Sequence, residues 1–182
     1  MKIGFFTDTY YPNVDGVVRA IGEYKHALEH AGNQVSVFTS GSKKARLENT
    51  DKSVHYFSSV AFPPYPQYKL AVYPFKATAI AREEKIELIH CHAVASMGVA
   101  AIQTSRSLNL PAIATFHTML PYGAKSAVAK SFLSSRMVES LTEKLVWRAM
   151  RLFYNRFTLL TVPTHAVKRV LREHDFSGAI AV

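Results

Sequence analysis

Apolar and polar positions alternate along this chain in two rhythms, short apolar runs and longer stretches with an apolar residue every third or fourth place. Ile3, Gly4, Phe5 and Phe6 form the first run, short enough for a buried strand. A polar turn follows over residues 7–15, TDTYYPNVD. Val17, Ile21, Tyr24, Leu28 and Ala31 then recur at helical spacing, and Gly32 is placed to stop that helix. Residues 34–39 read as a second strand, 41–52 as a polar and basic surface loop, and 54–60 as a third strand toward an edge. The prolines of FPPYP, residues 62–66, exclude helix and central strand and predict an ordered loop.

The same rhythm continues to the end. Pro74 opens a helix to about residue 85, LIHCH over 88–92 is a strand, and Ser96 caps a helix that stops before Pro111. AIATF over 112–116 is a further buried strand, ending on His117. Residues 127–157 predict helix in two pieces, with Val128, Phe132, Leu141, Leu145 and Leu152 as its inner face. Residues 159–162 read as strand, Thr164 caps a last helix to about 173, and 180–182 look like a strand beginning. Strands alternating with helices define an α/β class: one Rossmann-like open parallel sheet with helices on both faces, a single domain over 1–182.

That architecture tells which residues can meet. Strand ends lie on one edge of a parallel sheet, so Thr7-Asp8, His90-Cys91-His92 and His117-Thr118 can converge with the loop before Gly16. A nine-residue strand-to-helix connection exceeds the usual two to six, which favours a ligand loop over a plain turn that merely relieves a glycine. At a helix start Gly16 lets a ligand approach the backbone, and free N–H groups favour an anionic oxygen. No GxGxxG is present, which argues against a nicotinamide site. His90 is expected to be a satisfied structural histidine; His92 is open between pocket and packing. HCH is not a zinc-ligand spacing, so no metal is expected, and no GxSxG supports a serine hydrolase.

Composition narrows the class of partner. The formal charge is +9, and ten Lys or Arg residues between 125 and 172 face only Glu139 and Glu143. Such a field attracts phosphates, nucleic acid or anionic headgroups without choosing among them; the plain alternative is a solvated basic face. No face of interleaved aromatics suggests single-strand binding, so nucleic acid is not expected. Lys130, Arg136, Lys144, Arg148 and Arg151, with Trp147 as interfacial anchor or core residue, form the candidate membrane face. Cys91 is the single cysteine and sits in an apolar run, which predicts a buried thiol in a reducing compartment. With no signal peptide and no run long enough to span a bilayer, a cytoplasmic protein is expected, peripheral on the inner face of the membrane if it meets one.

TDTYYPNVDGVVRAI, LIHCHAVASMG, ATFHT and VPTHAVKRVL stand in the order and approximate spacing of GT-B glycosyltransferases of family 4. Over essentially its whole length the chain resembles the amino-terminal half of such an enzyme. TDTYYPNVDGVV is similar to the branch that uses UDP-glucose or GDP-mannose, including diacylglycerol glucosyltransferases and phosphatidylinositol mannosyltransferases. The resemblance implies a retaining transferase that moves a hexose from a nucleotide-sugar to a lipid or sugar acceptor, with no separate cofactor. Gly16 then matches the loop glycine near the donor diphosphate, and His117 the histidine lining the transfer site. Thr9, Tyr10, Asn13, Asp15, His92, Thr118 and Tyr122 fall on the acceptor side. Asp15-Gly16 replaces a common Gly-Gly, and Met119-Leu120-Pro121-Tyr122 replaces an acidic residue and Tyr found in many lipid-acceptor relatives. The nucleotide pocket and its Glu-x7-Glu element belong to a carboxyl-terminal domain absent from these residues, so this chain by itself is expected not to turn over. The competing class is a non-catalytic peripheral module that binds anionic membrane or phosphate-rich ligands through basic helices.

Overall fold

A computed structural model describes residues 1–62, 65–72, 74–117 and 136–182, with side chains throughout except at 62, 65–68, 136, 137 and 139. Two units emerge, Met1–Thr115 and Phe116–Val182. In the first, β1 (Lys2–Thr7), α1 (Gly16–His30), β2 (Gln34–Gly41), α2 (Lys43–Glu48), β3 (Val54–Phe62) and β4 (Tyr65–Ala71) precede α3 (Lys76–Glu83), β5 (Leu88–Cys91), α4 (Ser96–Leu108) and β6 (Ala112–Thr115). The fold is α/β and Rossmann-like, with a mostly parallel sheet.

Strand order in the first unit is β4-β3-β2-β1-β5-β6. All neighbours are parallel except β3 and β4. The chain steps outward from β1 to β2 through α1, and in the opposite direction from β5 to β6 through α4. Right-handed crossovers in opposite directions put the two helices on opposite faces of the sheet. The direction reverses between β1 and β5, which makes the carboxyl ends of these two strands the place for a crevice.

Alternation along β1 builds a core on each face. Ile3 and Phe5 join Ile21 of α1 with Val35, Val37 and Val54. On the other face Phe6 stacks on Phe38 with ring centroids 4.6 Å apart. Phe5, Phe6 and Phe38 are fully buried, each contributing about 1.5–3 kcal/mol of transfer free energy. Gly32 ends α1 with φ at 80°, a conformation that costs glycine nothing.

Two expectations for the first unit are corrected. KKARLE, read as surface loop, is the short helix α2, whose start is capped by Ser42 Oγ accepting the Ala45 N–H. The segment from residue 65, read as loop, is β4. It pairs antiparallel with β3 at the sheet's edge, where a proline such as Pro66 is tolerated because one side of the strand needs no donor.

The second unit contains α5 (Arg136–Tyr154), β7 (Leu159–Thr161), α6 (His165–Glu173) and β8 (Ala179–Ala181). β7 and β8 run parallel, with Leu160 opposite Ile180. Thr164 caps α6 as expected, its Oγ1 accepting the Val167 N–H at 3.2 Å. Trp147, Met150 and Tyr154 of α5 pack inward with Phe157, Leu171 and Phe176. This inverts the face expected from periodicity: Leu141, Leu145 and Leu152 point outward, 54%, 62% and 57% exposed.

Candidate functional site

The crevice loop begins where Thr7 turns the chain off the sheet. Thr7 Oγ1 donates to the Thr9 carbonyl at 2.8 Å and accepts the Thr9 N–H at 3.3 Å. Thr9 Oγ1 in turn donates to Asp15 Oδ2 and accepts from Asn13 Nδ2, both at 3.4 Å. Asp15 Oδ1 accepts the Val18 N–H at 2.9 Å, so this carboxylate caps α1. Thr9, Asn13 and Asp15 are thus brought together as one polar knot. The sheet holds the loop from below as well. Tyr56 Oη donates to the Tyr11 carbonyl at 2.6 Å. Gly41 makes room for that tyrosine, since a Cβ there would lie 2.4 Å from Tyr56 Cδ1.

Gly16 is the first residue of α1 and is exposed. Among described glycines with positive φ only Gly32 appears, so a turn does not explain Gly16. Nor does internal crowding, because nothing lies within 4 Å of where its Cβ would be. The space beside Gly16 is open, at the electropositive end of a helix.

Tyr10 behaves differently from the expected acceptor contact. Its ring belongs to the core with Ile3, Phe5 and Ile21, and burial, followed by the nearby Tyr11, pushes its phenol up to about 12. Within this loop it is packing.

At the end of β5 the two histidines share a face, as alternation requires. Their rings lie 4.0 Å apart, and that of His92 lies 4.9 Å from Phe5 and 5.9 Å from Tyr24. His90 Nε2 is 2.7 Å from Thr115 Oγ1, a structural role as expected. His92 is buried among these rings, and its backbone N–H donates to the Phe6 carbonyl at 2.7 Å. Between pocket and packing, the geometry favours packing.

Cys91 is fully buried, and burial pushes its thiol up to about 12. A thiol pushed up in this way is scarcely ionised near neutral pH, even if reachable. A disulfide reagent is therefore expected to leave Cys91 untouched in the native chain and to modify it at the rate of unfolding. Rapid labelling of native protein would contradict this burial.

Asp8 was visible in sequence only as a polar strand end. Its carboxylate accepts the Ala95 and Met97 N–H groups, both at 2.9 Å, and the Ser96 hydroxyl at 3.2 Å. Burial raises its pKa, while these donors pull it down. Among the described residues no three of His, Cys, Asp and Glu are arranged to hold a metal ion.

In the second unit, His117 is half-buried immediately after Phe116, whose N–H donates to the Thr161 carbonyl at 2.9 Å. Thr118, Tyr122 and Lys130 lie outside the described residues; Arg136 opens α5. Lys144 and Arg148 are exposed. Arg151 is held by Asp175 at 2.8 Å. Trp147 is not a surface anchor. It is 5% exposed, with its ring stacked on His174 at 3.8 Å.

Residues 14–182 match Glycosyltransferase Family 4, and the chain belongs to that family. It is 36% identical over 119 residues to the alpha-monoglucosyldiacylglycerol synthase of Streptococcus pneumoniae, covering 65% of this chain and 27% of that protein. The synthase of the same name from Acholeplasma laidlawii is 26% identical over 96% of this chain and 44% of its own length. A GDP-mannose-dependent alpha-mannosyltransferase of Mycolicibacterium smegmatis is 24% identical over 94% of this chain and 47% of its own. The chain thus spans between about a quarter and a half of these relatives.

Proposed function

We propose that the chain forms the acceptor-side part of a retaining glycosyltransferase, which moves a hexose from UDP-glucose or GDP-mannose to a lipid or sugar acceptor. The observation that carries this reading is the preformed loop ending at Gly16, open above the backbone, at the reversal of strand order in a family 4 chain. A lipid acceptor is favoured. Tyr11 and Val14, at 44% and 62% exposure, offer apolar surface on that loop, and two relatives are named for a diacylglycerol product. The donor groups would sit in a carboxyl-terminal domain.

The test uses protein expressed from the complete reading frame, given UDP-glucose or GDP-mannose with diacylglycerol or glucosyldiacylglycerol in mixed micelles. A glycolipid bearing the donor hexose is the expected product. Failure of every donor and acceptor pair, with the protein folded, would leave the non-catalytic module.

α5 gives the membrane reading its own support. On a helix of 100° per residue, Leu141, Leu145 and Leu152 fall in one outward arc beside exposed Lys144 and Arg148, while Glu143 lies on the inner side. Apolar residues flanked by cations suit an anionic bilayer, each cation contributing on the order of 1 kcal/mol. Among the described residues no helix is long and apolar enough to cross a membrane. Co-sedimentation with phosphatidylglycerol vesicles is expected at low salt, weakening as salt rises, and absent with phosphatidylcholine alone. The double variant K144E/R148E should abolish it without unfolding. Unaltered sedimentation of that variant, or none by the wild type, would remove the bilayer from this face.

A further inference from the structure

We propose that Asp8 is a positioning residue of the candidate site, locking the loop that carries Thr9, Asn13, Asp15 and Gly16 against the segment that leaves β5. The assignment rests on how the start of α4 is capped. Ser96, expected from the sequence to cap this helix, is instead its first residue, and Ala95 at the N-cap offers no capping side chain. The usual remedy is local, a Ser, Thr, Asp or Asn at that position. Here the cap comes from a residue 87 positions earlier in the chain. Asp8 satisfies the Ala95 and Met97 N–H groups and the Ser96 hydroxyl with one carboxylate.

A local cap would stabilise α4 equally well and connect nothing. The distant cap ties the first residue of the crevice loop to the residues that follow His92, across the reversal between β1 and β5. Two further bonds extend the tie. Ser96 Oγ also accepts the Ala71 N–H at 2.7 Å, bringing in the end of β4. The Asp8 carbonyl accepts from Ser40 Oγ at 3.3 Å, bringing in β2. Bonds from N–H groups at a helix start to a carboxylate are charge-assisted, the stronger kind, and directional enough to set position. Both helix starts that flank the reversal are thereby treated differently. α4 is capped by a carboxylate from a distant strand end, whereas α1 is capped by its own neighbour Asp15, with open space beside Gly16.

Asp8→Asn is the informative variant. It preserves size and one acceptor oxygen, but turns an NH2 group toward one of the two N–H donors. Hydrogen exchange is measured on wild type and variant where both are folded. Amides of residues 9–16 and 95–97 are expected to exchange at least about tenfold faster, while those of β2 and β3 keep wild-type rates. Unchanged exchange at 9–16, or uniform acceleration everywhere, would reduce Asp8 to a plain stabiliser and overturn the proposal. If Asp8→Asn does not fold, Ser96→Ala is judged by the same criterion, with a smaller shift in the same segments.

A second arm rests on the transferase reading above. In protein from the complete reading frame, Asp8→Asn should raise the acceptor KM about tenfold and change kcat less, because the loop is misplaced rather than a reacting group lost. A normal acceptor KM beside altered exchange would also overturn the positioning role. Absence of transfer by the wild type would fail the transferase reading alone, leaving Asp8 to be decided by exchange.

Discussion

Trp147→Ala is expected to destabilise the chain by about 3–5 kcal/mol, and Leu145→Ala by no more than about 0.5 kcal/mol. The two residues are neighbours on α5, both large and apolar, and differ in which way they face. Trp147 is 5% exposed, stacked on His174 and edge-on to Phe176 at 6.1 Å; Leu145 is 62% exposed. Removing the indole leaves a cavity beside His174 and Phe176, whereas removing the leucine takes away surface already in water. Urea titrations of both variants check this, with the midpoint read at constant m-value. In thermal melts the tryptophan variant should fall by on the order of 10 °C. Equal losses, or a larger loss at Leu145, would mean that the leucine stripe faces the core after all.

That contrast shows where sequence reading stopped. Helical spacing reveals that apolar residues share a face, but α5 has two such faces. Leu141, Leu145 and Leu152 fit the period as well as Trp147, Met150 and Tyr154 do. What decides between them is shape on the other side, here His174 and Phe176, and periodicity carries no information about partners. The strands were legible because IGFF, LIHC and AIAT are too short and too apolar to be anything else in this alternation. β4 was missed because its proline looked prohibitive, and only an edge position makes it acceptable.

The site divides in the same way. The loop from Thr9 to Gly16 was legible as a break in pattern, and His90 as a buried residue alternating within a strand. Irregular backbone has no period, so nothing in the sequence says that Tyr10 turns inward while Tyr11 stays out. Asp8 was hidden for a different reason: a capping signal is sought beside its helix, and this one arrives from 87 residues away. Ala95 is the trace it leaves, a helix start without a capping side chain. Tyr56 was equally hidden, since its bond to the Tyr11 carbonyl depends on β3 lying next to β2 and on the missing side chain at Gly41.

His117→Ala is expected to lower kcat by about 10²–10³ while the donor KM changes by no more than a few-fold. This prediction rests on the proposed transferase and is measured on protein from the complete reading frame. His117 follows a buried strand, β6, and is itself only half-buried, so its side chain has a face available to a ligand. On the proposed reading, His117 of ATFHT would lie beside the sugar being transferred, where charge develops only as the glycosidic bond to the diphosphate breaks. An interaction made mainly in the transition state appears in kcat and kcat/KM together, whereas one made to the nucleotide appears in KM. Truncating a half-exposed side chain leaves little cavity, so the variant's melting temperature should stay within a few degrees of wild type. That separates the chemical role from a structural one. A large fall in melting temperature with proportionate loss of activity would make His117 a packing residue, and near-normal turnover in a well-folded variant would take it out of the transfer site.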